Sequence, residues 1–203
     1  MMQGIHGLNE RNEPMAATAA TKWMTTEELF AMPDDGMDRE LIRGELREKP
    51  MTKRNRLHSY VMSNISQVLL NWLKTFPEPR GKVLSGEAGI RLERNPDTSV
   101  GIDVAYVSAE VWAQQAPANK WVDGPPVLAV EILSPSDTHE DIVDKIRDYL
   151  RTGVVLVWLV DPDLQTLMIY RGTQKPQLLN VGDTWKGDPD MPGFVLHVKD
   201  VFD

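Results

Sequence analysis

Two carboxylates stand in segments whose other residues are almost all apolar. Asp103 is the only charged residue between positions 100 and 107, and Glu131 is the only one between positions 127 and 133. Burying a carboxylate costs several kcal/mol unless it is paired, hydrogen-bonded or bound to a metal. Two that lie close together repel each other, and a divalent cation removes that repulsion. The pair therefore predicts a divalent metal site, and its oxygen ligands suit Mg²⁺ or Mn²⁺.

A structural alternative exists for each carboxylate taken singly. Either residue could lie near a strand end and form an ion pair with an arginine such as Arg91 or Arg147. For one residue alone, this ion pair is the better interpretation. For the two together we favour a site, because carboxylates in unusual surroundings cluster at functional sites.

Lys145 is the third residue that could take part in chemistry. It lies on the predicted helix after the Glu131 segment, at the edge of the apolar face and one turn before Tyr149. Its stem can cover apolar surface while the ammonium reaches the carboxyl end of the strand. There it could orient a water or stabilise charge on a phosphate. The alternative, favoured for Lys145 alone, is an exposed pair with Asp141.

Glu40 and His58 carry weaker signals. Glu40 lies at the mouth of a predicted hairpin, where it could be a further metal ligand or a solvated charge at a strand end. His58 falls on the apolar side of a long predicted helix, at its start. It could contact a phosphate or assist proton transfer, although a lone histidine in such a place is more often a packed or capping residue.

The overall charge argues against nucleic-acid binding, but one segment does not. The formal net charge is -8, whereas phosphate contacts need positive charge. Between positions 43 and 56, six basic residues stand against two acidic ones, a balance of +4. The basic residues are Arg43, Arg47, Lys49, Lys53, Arg54 and Arg56. This segment could follow a phosphate backbone or be an ordinary solvated loop, and we predict Arg54 and Arg56 as substrate contacts.

The composition sets the class of protein. A chain of 203 residues can bury a sizeable core, and the absence of cysteine excludes disulfides, thiolate metal sites and cysteine nucleophiles. We recognise neither a membrane-spanning apolar run nor a signal peptide, so we expect a cytoplasmic protein without a membrane segment. A disordered leader is expected over residues 1–22, followed by a single domain over residues 23–203.

Hydrophobic periodicity predicts an α/β architecture with a mixed sheet. Helices are expected from position 25 or 26, at 58–74 and at 138–152, and a hairpin at 40–49. Strands are expected at 82–84, 88–92, 100–107, 127–133, 154–160 and 167–170, with a strand and a closing turn at 193–202. Because an amphipathic helix separates segments 127–133 and 154–160, these two strands should run parallel.

Taken in order, several segments resemble a known family. They lie at positions 39–46, 58, 101–105, 124–136, 145–149, 153–154, 158–162 and 192–194. The order is similar to that of the bacterial Uma-two-type putative restriction endonucleases, which belong to the PD-(D/E)XK nuclease superfamily. The similarity extends from about position 25 to position 202, and Gly-Pro-Pro through Ser-Pro-Ser at 124–136 is its most specific part.

The resemblance implies a restriction-endonuclease-like core with an N-terminal β-hairpin and helices flanking a central mixed sheet. It also implies hydrolysis of phosphodiester bonds in DNA that depends on Mg²⁺ or Mn²⁺. Asp103, Glu131 and Glu40 would then hold the metal. Lys145 would replace the superfamily lysine, because Leu133 occupies the usual position of that residue.

Three further side chains are predicted to meet the substrate. His58, Ser134 and Tyr149 are predicted substrate contacts. Ile102 stands where the motif usually has a proline, which takes no chemical part. A homodimer would suit cleavage of both DNA strands.

Two rival functions stay open at this stage. The chain could be a catalytically inactive member of the fold that binds nucleic acid or protein. It could also be a metal-dependent phosphoesterase that acts on RNA or nucleotides, since a fold does not fix a substrate.

Overall fold

The computed structural model describes residues 23–51 and 55–203. The predicted leader, residues 1–22, and the predicted substrate contact Arg54 lie outside these described residues. Among the helices that the structure describes, none has both the length and the apolar character needed to cross a bilayer.

The described part of the chain forms five helices and eleven strands. The helices are α1 (Thr26–Phe30), α2 (Arg56–Leu73), α3 (Ala109–Ala113), α4 (His139–Arg151) and α5 (Lys199–Phe202). The strands are β1 (Met37–Ile42), β2 (Glu45–Pro50), β3 (Lys82–Glu93), β4 (Thr98–Val107), β5 (Val122–Asp123), β6 (Leu128–Ile132), β7 (Leu156–Asp161), β8 (Thr166–Arg171), β9 (Gln177–Asn180), β10 (Thr184–Lys186) and β11 (Val195–His197).

One nine-stranded mixed sheet organises the fold. Its order is β2-β1-β4-β6-β7-β8-β9, and β3 pairs with both β4 and β5. β6 and β7, which α4 separates in the sequence, are neighbours in the sheet and run parallel, as the strand–helix–strand pattern predicts. β10 and β11 form a separate two-stranded sheet. The predicted mixed α/β architecture is therefore confirmed.

The sheet separates two hydrophobic cores, and β6 contributes to both. Leu128 and Val130 belong to the core that contains buried residues of α2, whereas Ala129 belongs to the core that contains buried residues of α4. Successive side chains of a strand point to opposite faces. The side chain of Glu131 consequently lies on the α4 side of the sheet.

The two long helices follow the sequence pattern closely. α2 begins after Asn55, whose side chain accepts a hydrogen bond from the backbone of His58 at 2.8 Å. α4 begins after Thr138, whose side chain accepts from the backbone of Asp141, and it ends before Gly153, which has a φ of 101°. Both predicted helices are confirmed to within two residues at each end.

β3 is a single strand where the sequence predicts two. Its pairing with β4 shifts between Ser85 and Ala88, so that Gly86 and Glu87 stand opposite the single residue Asp103. Both bulged residues have positive φ, 86° and 57°. A bulge of this kind redirects a side chain without ending the strand, which explains why the sequence resembles a break.

Other differences concern very short elements. The predicted closing turn is the short helix α5, which follows β11. The sequence predicts none of α3, β5, β9 and β10, which have two to five residues each. Elements of this length are too short to show a hydrophobic period.

The predicted N-terminal hairpin is confirmed, and it turns at Arg43 and Gly44. Both residues have positive φ, 54° and 79°, as a tight two-residue hairpin turn requires. β1 also pairs with β4 through Leu41 and Ser99. This contact places Glu40 beside the strand that carries a predicted site residue.

Substitution of Gly44 should loosen this hairpin. In Gly44→Ala the new Cβ would have to adopt a φ of 79° and would lie 2.6 Å from Cβ of Trp23. Gly36→Ala is a matched control, because Gly36 has a φ of 82° but open space around it. We expect a loss of about 1–3 kcal/mol in the control and a clearly larger loss in Gly44→Ala, measured by urea unfolding. Equal losses would show that the Trp23 contact is unimportant.

Candidate functional site

Asp103 is held at the junction of β4 and β6. Its side chain is nearly buried, with 5% of the residue exposed. Oδ2 accepts a hydrogen bond from the backbone N–H of Ile132 at 2.9 Å. Nε2 of His58, in the first turn of α2, lies 3.2 Å from the same oxygen. A strand neighbour and a helix from the other layer thus fix this carboxylate.

Glu131 is clamped by two residues of α4. Nζ of Lys145 lies 3.1 Å from Oε2, and the Tyr149 hydroxyl donates to Oε1 at 2.7 Å. Lys145 and Tyr149 are four residues apart, so they project from the same face of the helix. Both oxygens of the Glu131 side chain therefore have a donor from one element.

The hairpin adds a third carboxylate to this cluster. Oε1 of Glu40 lies 3.5 Å from Nζ of Lys145. The ammonium is therefore in contact with Glu131 of β6 and Glu40 of β1 at once. Three segments that are distant in the sequence meet at this one cation.

Burial dominates the electrostatics of the cluster. It raises the pKa of Glu131 to about 7, against the attraction of Lys145 and the hydrogen bond from Tyr149 and together with repulsion from Asp103 and Glu40. Burial alone would lower the pKa of Lys145, but the charges of Glu131, Tyr149 and Glu40 and the hydrogen bond to Glu131 together outweigh it and raise that pKa well above its ordinary value. Burial, together with the Glu131 charge, also raises the pKa of Tyr149 strongly.

Asp103, Glu131 and Lys145 line a cleft of about 180 Å³. Its walls combine acidic, basic and hydroxyl side chains with little apolar surface. Residues that line it include Asp38, Lys49, His58, Glu87, Asp103, Glu131, Ser134, Ser136, Asp137 and Lys145. A polar, open cleft in which five carboxylates outnumber two ammonium groups suits an anionic substrate that arrives with a cation.

Glu87 is one of three acidic wall residues that the sequence analysis missed, together with Asp38 and Asp137. Glu87 stands in the bulge opposite Asp103 and lines the same cleft. The signal for it is Gly86, since an isolated glycine within a strand pattern often marks a bulge. Bulges are frequent beside active sites, where they direct a side chain.

The structure shows which partners the charged residues take. Arg91 pairs with Asp123 at 2.8 Å, and Arg147 pairs with Asp144 at 2.8 Å, so neither arginine neutralises a predicted site carboxylate. Asp141 accepts a hydrogen bond from the Thr138 hydroxyl. The ammonium of Lys145 contacts Glu131 and Glu40. The alternative interpretation, an exposed ion pair between Lys145 and Asp141, is therefore wrong.

The predicted substrate contacts are placed very differently from one another. Ser134 lines the cleft, and His58 lines it beneath Asp103. Tyr149 is completely buried with its hydroxyl bound to Glu131, so it supports a site residue and is not presented to a ligand. Arg56 is exposed at the start of α2 and does not line this cleft.

The fit of a divalent metal rests on the donor set. Within residues 23–51 and 55–203, no group of three or more Asp, Glu or His side chains is arranged to hold a metal. Glu40 is thus not brought into a common set with Asp103 and Glu131. The two remaining carboxylates still fit Mg²⁺, which typically takes one or two carboxylates and completes its shell with water and phosphate oxygens.

Comparison with known proteins agrees with the fold. The model of the Uma2 family, described as "Putative restriction endonuclease", matches residues 26–199, which confirms the resemblance found in the sequence. A crystal structure of a putative nuclease belonging to DUF820 from Anabaena variabilis ATCC 29413 is similar, with a TM-score of 0.70. It is 23% identical, and the match covers 87% of this chain and 96% of that chain. At this identity the likeness shows the fold alone. No curated protein matches.

The raised pKa of Glu131 should appear in the pH dependence of stability. The Glu131 carboxyl releases its proton near pH 4.5 in the unfolded chain and near pH 7 in the folded protein. The free energy of unfolding therefore falls by about 1.4 kcal/mol for each pH unit that the pH rises between these values. Glu131→Gln has no such proton to lose. Between pH 5 and pH 8 we expect the wild type to lose about 2–3 kcal/mol relative to this variant, measured by urea unfolding in EDTA. A difference that stays constant with pH would contradict the shift.

Proposed function

Because the chain belongs to the Uma2 family of putative restriction endonucleases, we propose that it is a divalent-metal-dependent endonuclease that hydrolyses phosphodiester bonds in DNA. The observation that carries the proposal is the cluster at the end of β6. There Glu131 lies between an ammonium and a buried hydroxyl and lines the same cleft as Asp103.

In this proposal Asp103 and Glu131 hold Mg²⁺ or Mn²⁺. When bound, the cation would polarise a phosphate oxygen and lower the pKa of the attacking water. His58 and the backbone of Ile132 keep the Asp103 carboxylate in place. Tyr149 does the same for Glu131, so the orientation of both carboxylates is set before a ligand arrives.

Lys145 is the residue that would meet the reacting phosphate. Its ammonium lines the cleft and stays charged, since the pKa is raised well above the ordinary value of lysine. A fixed positive charge beside the phosphate stabilises the negative charge that grows as the bond to water forms. It can also orient the water through one of its three N–H donors.

The hairpin supplies the contacts that would guide the phosphate backbone. Lys49 of β2 lines the cleft described above, and Arg47 lines the adjoining cleft of about 300 Å³. Both side chains are exposed. Because they are two residues apart on one strand, their side chains project from the same side of the hairpin. Cleavage of both DNA strands would need two such clefts, and the proposal extends to a homodimer.

Cleavage assays with two variants test the chemistry. Purified wild-type protein should nick plasmid DNA with Mg²⁺ or Mn²⁺, and EDTA should stop the reaction. Glu131→Gln removes a proposed ligand and Lys145→Ala removes the charge at the phosphate, so each should slow cleavage by at least about 100-fold. Lys175→Ala, in the exposed segment between β8 and β9, is the control and should cut normally.

The same assay separates the rival functions. Activity that survives in both variants would overturn the proposed site. Cleavage of RNA or nucleotides but not DNA would identify a different phosphoesterase. Binding of DNA without cleavage at any metal concentration would favour a non-catalytic module, the candidate supported by the lack of a three-ligand group among the described residues.

The hairpin contacts make a separate prediction about salt. If Arg47 and Lys49 each neutralise one phosphate, the double variant Arg47→Ala/Lys49→Ala should bind duplex DNA more weakly. The slope of log affinity against log salt should also become shallower by about 2. Fluorescence anisotropy over a range of salt concentrations measures both, with Mg²⁺ present and in the slowly cleaving Lys145→Ala background. An unchanged slope would show that the backbone follows another path.

A further inference from the structure

The ammonium of Lys145 lies between two carboxylates that belong to different parts of the fold. It is 3.1 Å from Oε2 of Glu131 and 3.5 Å from Oε1 of Glu40. The three side chains are mostly buried, with 26%, 15% and 16% exposed for Lys145, Glu131 and Glu40. The contact is therefore held inside the protein, where solvent screens it weakly.

The two carboxylates face different spaces. Glu131 lines the same cleft as Asp103, whereas Glu40 lines the adjoining cleft with residues of the hairpin. Lys145 lines both clefts. The ammonium thus stands at the junction, with a proposed metal ligand on one side and Glu40 on the hairpin side.

We propose that Glu40 is a positioning residue for Lys145 and not a metal ligand, an inference that rests on the proposed function. A divalent cation on Glu131 would compete with the ammonium for that carboxylate and would repel it. Glu40 lines the adjoining cleft and keeps its attraction for the ammonium. It therefore holds Lys145 at the cleft when Glu131 is engaged by a cation.

Contact geometry and backbone placement support this role. The Lys145 ammonium contacts Glu131 and Glu40 at once, so Glu40 keeps its contact when the other carboxylate binds a cation. The backbone at Glu40 is tied to the sheet, because the next residue, Leu41, is fully buried and pairs with Ser99 of β4.

Mn²⁺ titration calorimetry distinguishes a ligand from a positioning residue. Glu131→Gln should lose at least about 100-fold in Mn²⁺ affinity, since a ligand is gone. Glu40→Gln should lose no more than about tenfold, because only a charge farther from the cation is removed. Glu48→Gln is the matched control, since Glu48 lines the same adjoining cleft and pairs with Arg39. A loss in Glu40→Gln as large as in Glu131→Gln would overturn the inference.

A double-mutant cycle tests whether Glu40 acts through the lysine. At saturating Mn²⁺, Glu40→Gln should slow single-turnover cleavage by about 10–100-fold, while Glu48→Gln leaves the rate unchanged. In a Lys145→Met background the same Glu40→Gln change should have no further effect on the residual rate. Additive effects, or a normal rate in Glu40→Gln alone, would contradict the inference.

Crystal structures without metal decide the point even if the proposed function fails. If the wild type neither binds Mn²⁺ nor cleaves DNA, the nuclease proposal is wrong, but the Lys145 ammonium can still be located. In Glu40→Ala it should leave the place between the two carboxyl groups and rest on Glu131 alone. An ammonium that stays where it is in the wild type would show that Glu40 does not position it.

Discussion

Burying the Glu131 carboxylate at the end of β6 raises the free energy of its charged form, and the elements around it supply the donors that make this possible. Lys145 and Tyr149 each bind one oxygen of that carboxylate from a single helix face. Two residues spaced four apart can both reach Glu131 only if α4 packs over the end of β6. The parallel strand–helix–strand unit meets that condition, because α4 must return the chain to β7 beside β6.

Asp103 depends on the opposite layer of the molecule. It accepts a hydrogen bond from the backbone of Ile132 and is contacted by His58 of α2. Buried residues of α2 belong to one of the two hydrophobic cores. Buried residues of α4 belong to the other core, on the opposite face of the sheet. The two carboxylates that share the cleft are therefore held by helices whose cores lie on opposite faces of the sheet. Separation of either helix from the sheet would release one member of the pair.

The sequence reveals those parts of the site whose chemistry conflicts with their surroundings. Asp103 and Glu131 are predictable because each is the sole charge in an apolar segment. Lys145 is not predictable in this way, since a lysine on an amphipathic helix normally points to solvent, and only the family resemblance singles it out. The place of Glu87 in the cleft is not predictable from the sequence, because it depends on a two-residue bulge that shifts the alternation of side chains along β3.

The same division applies to the fold. Long periodic elements such as α2 and α4, and the buried parallel strands, follow directly from hydrophobic spacing. The short edge strands do not, because two to four residues pair only where the completed sheet offers them a partner. The buried cation Arg91 illustrates the limit. A sequence cannot show that it pairs with Asp123 and Glu27, residues 32 positions later and 64 positions earlier in the chain.

The acidity of the whole chain and the proposed nucleic-acid substrate are compatible because screening makes electrostatics local. At physiological ionic strength charges farther away than about 8–10 Å contribute little, so the net charge of -8 has less influence than the residues at the cleft. There the acidic side chains exceed the basic ones, so the cleft without a cation would repel a phosphate. A cation that neutralises Asp103 and Glu131 removes this repulsion and leaves Arg47 and Lys49 of the hairpin to attract the backbone. Cation binding should therefore precede productive binding of the polyanion, and the acidic cluster itself enforces that order.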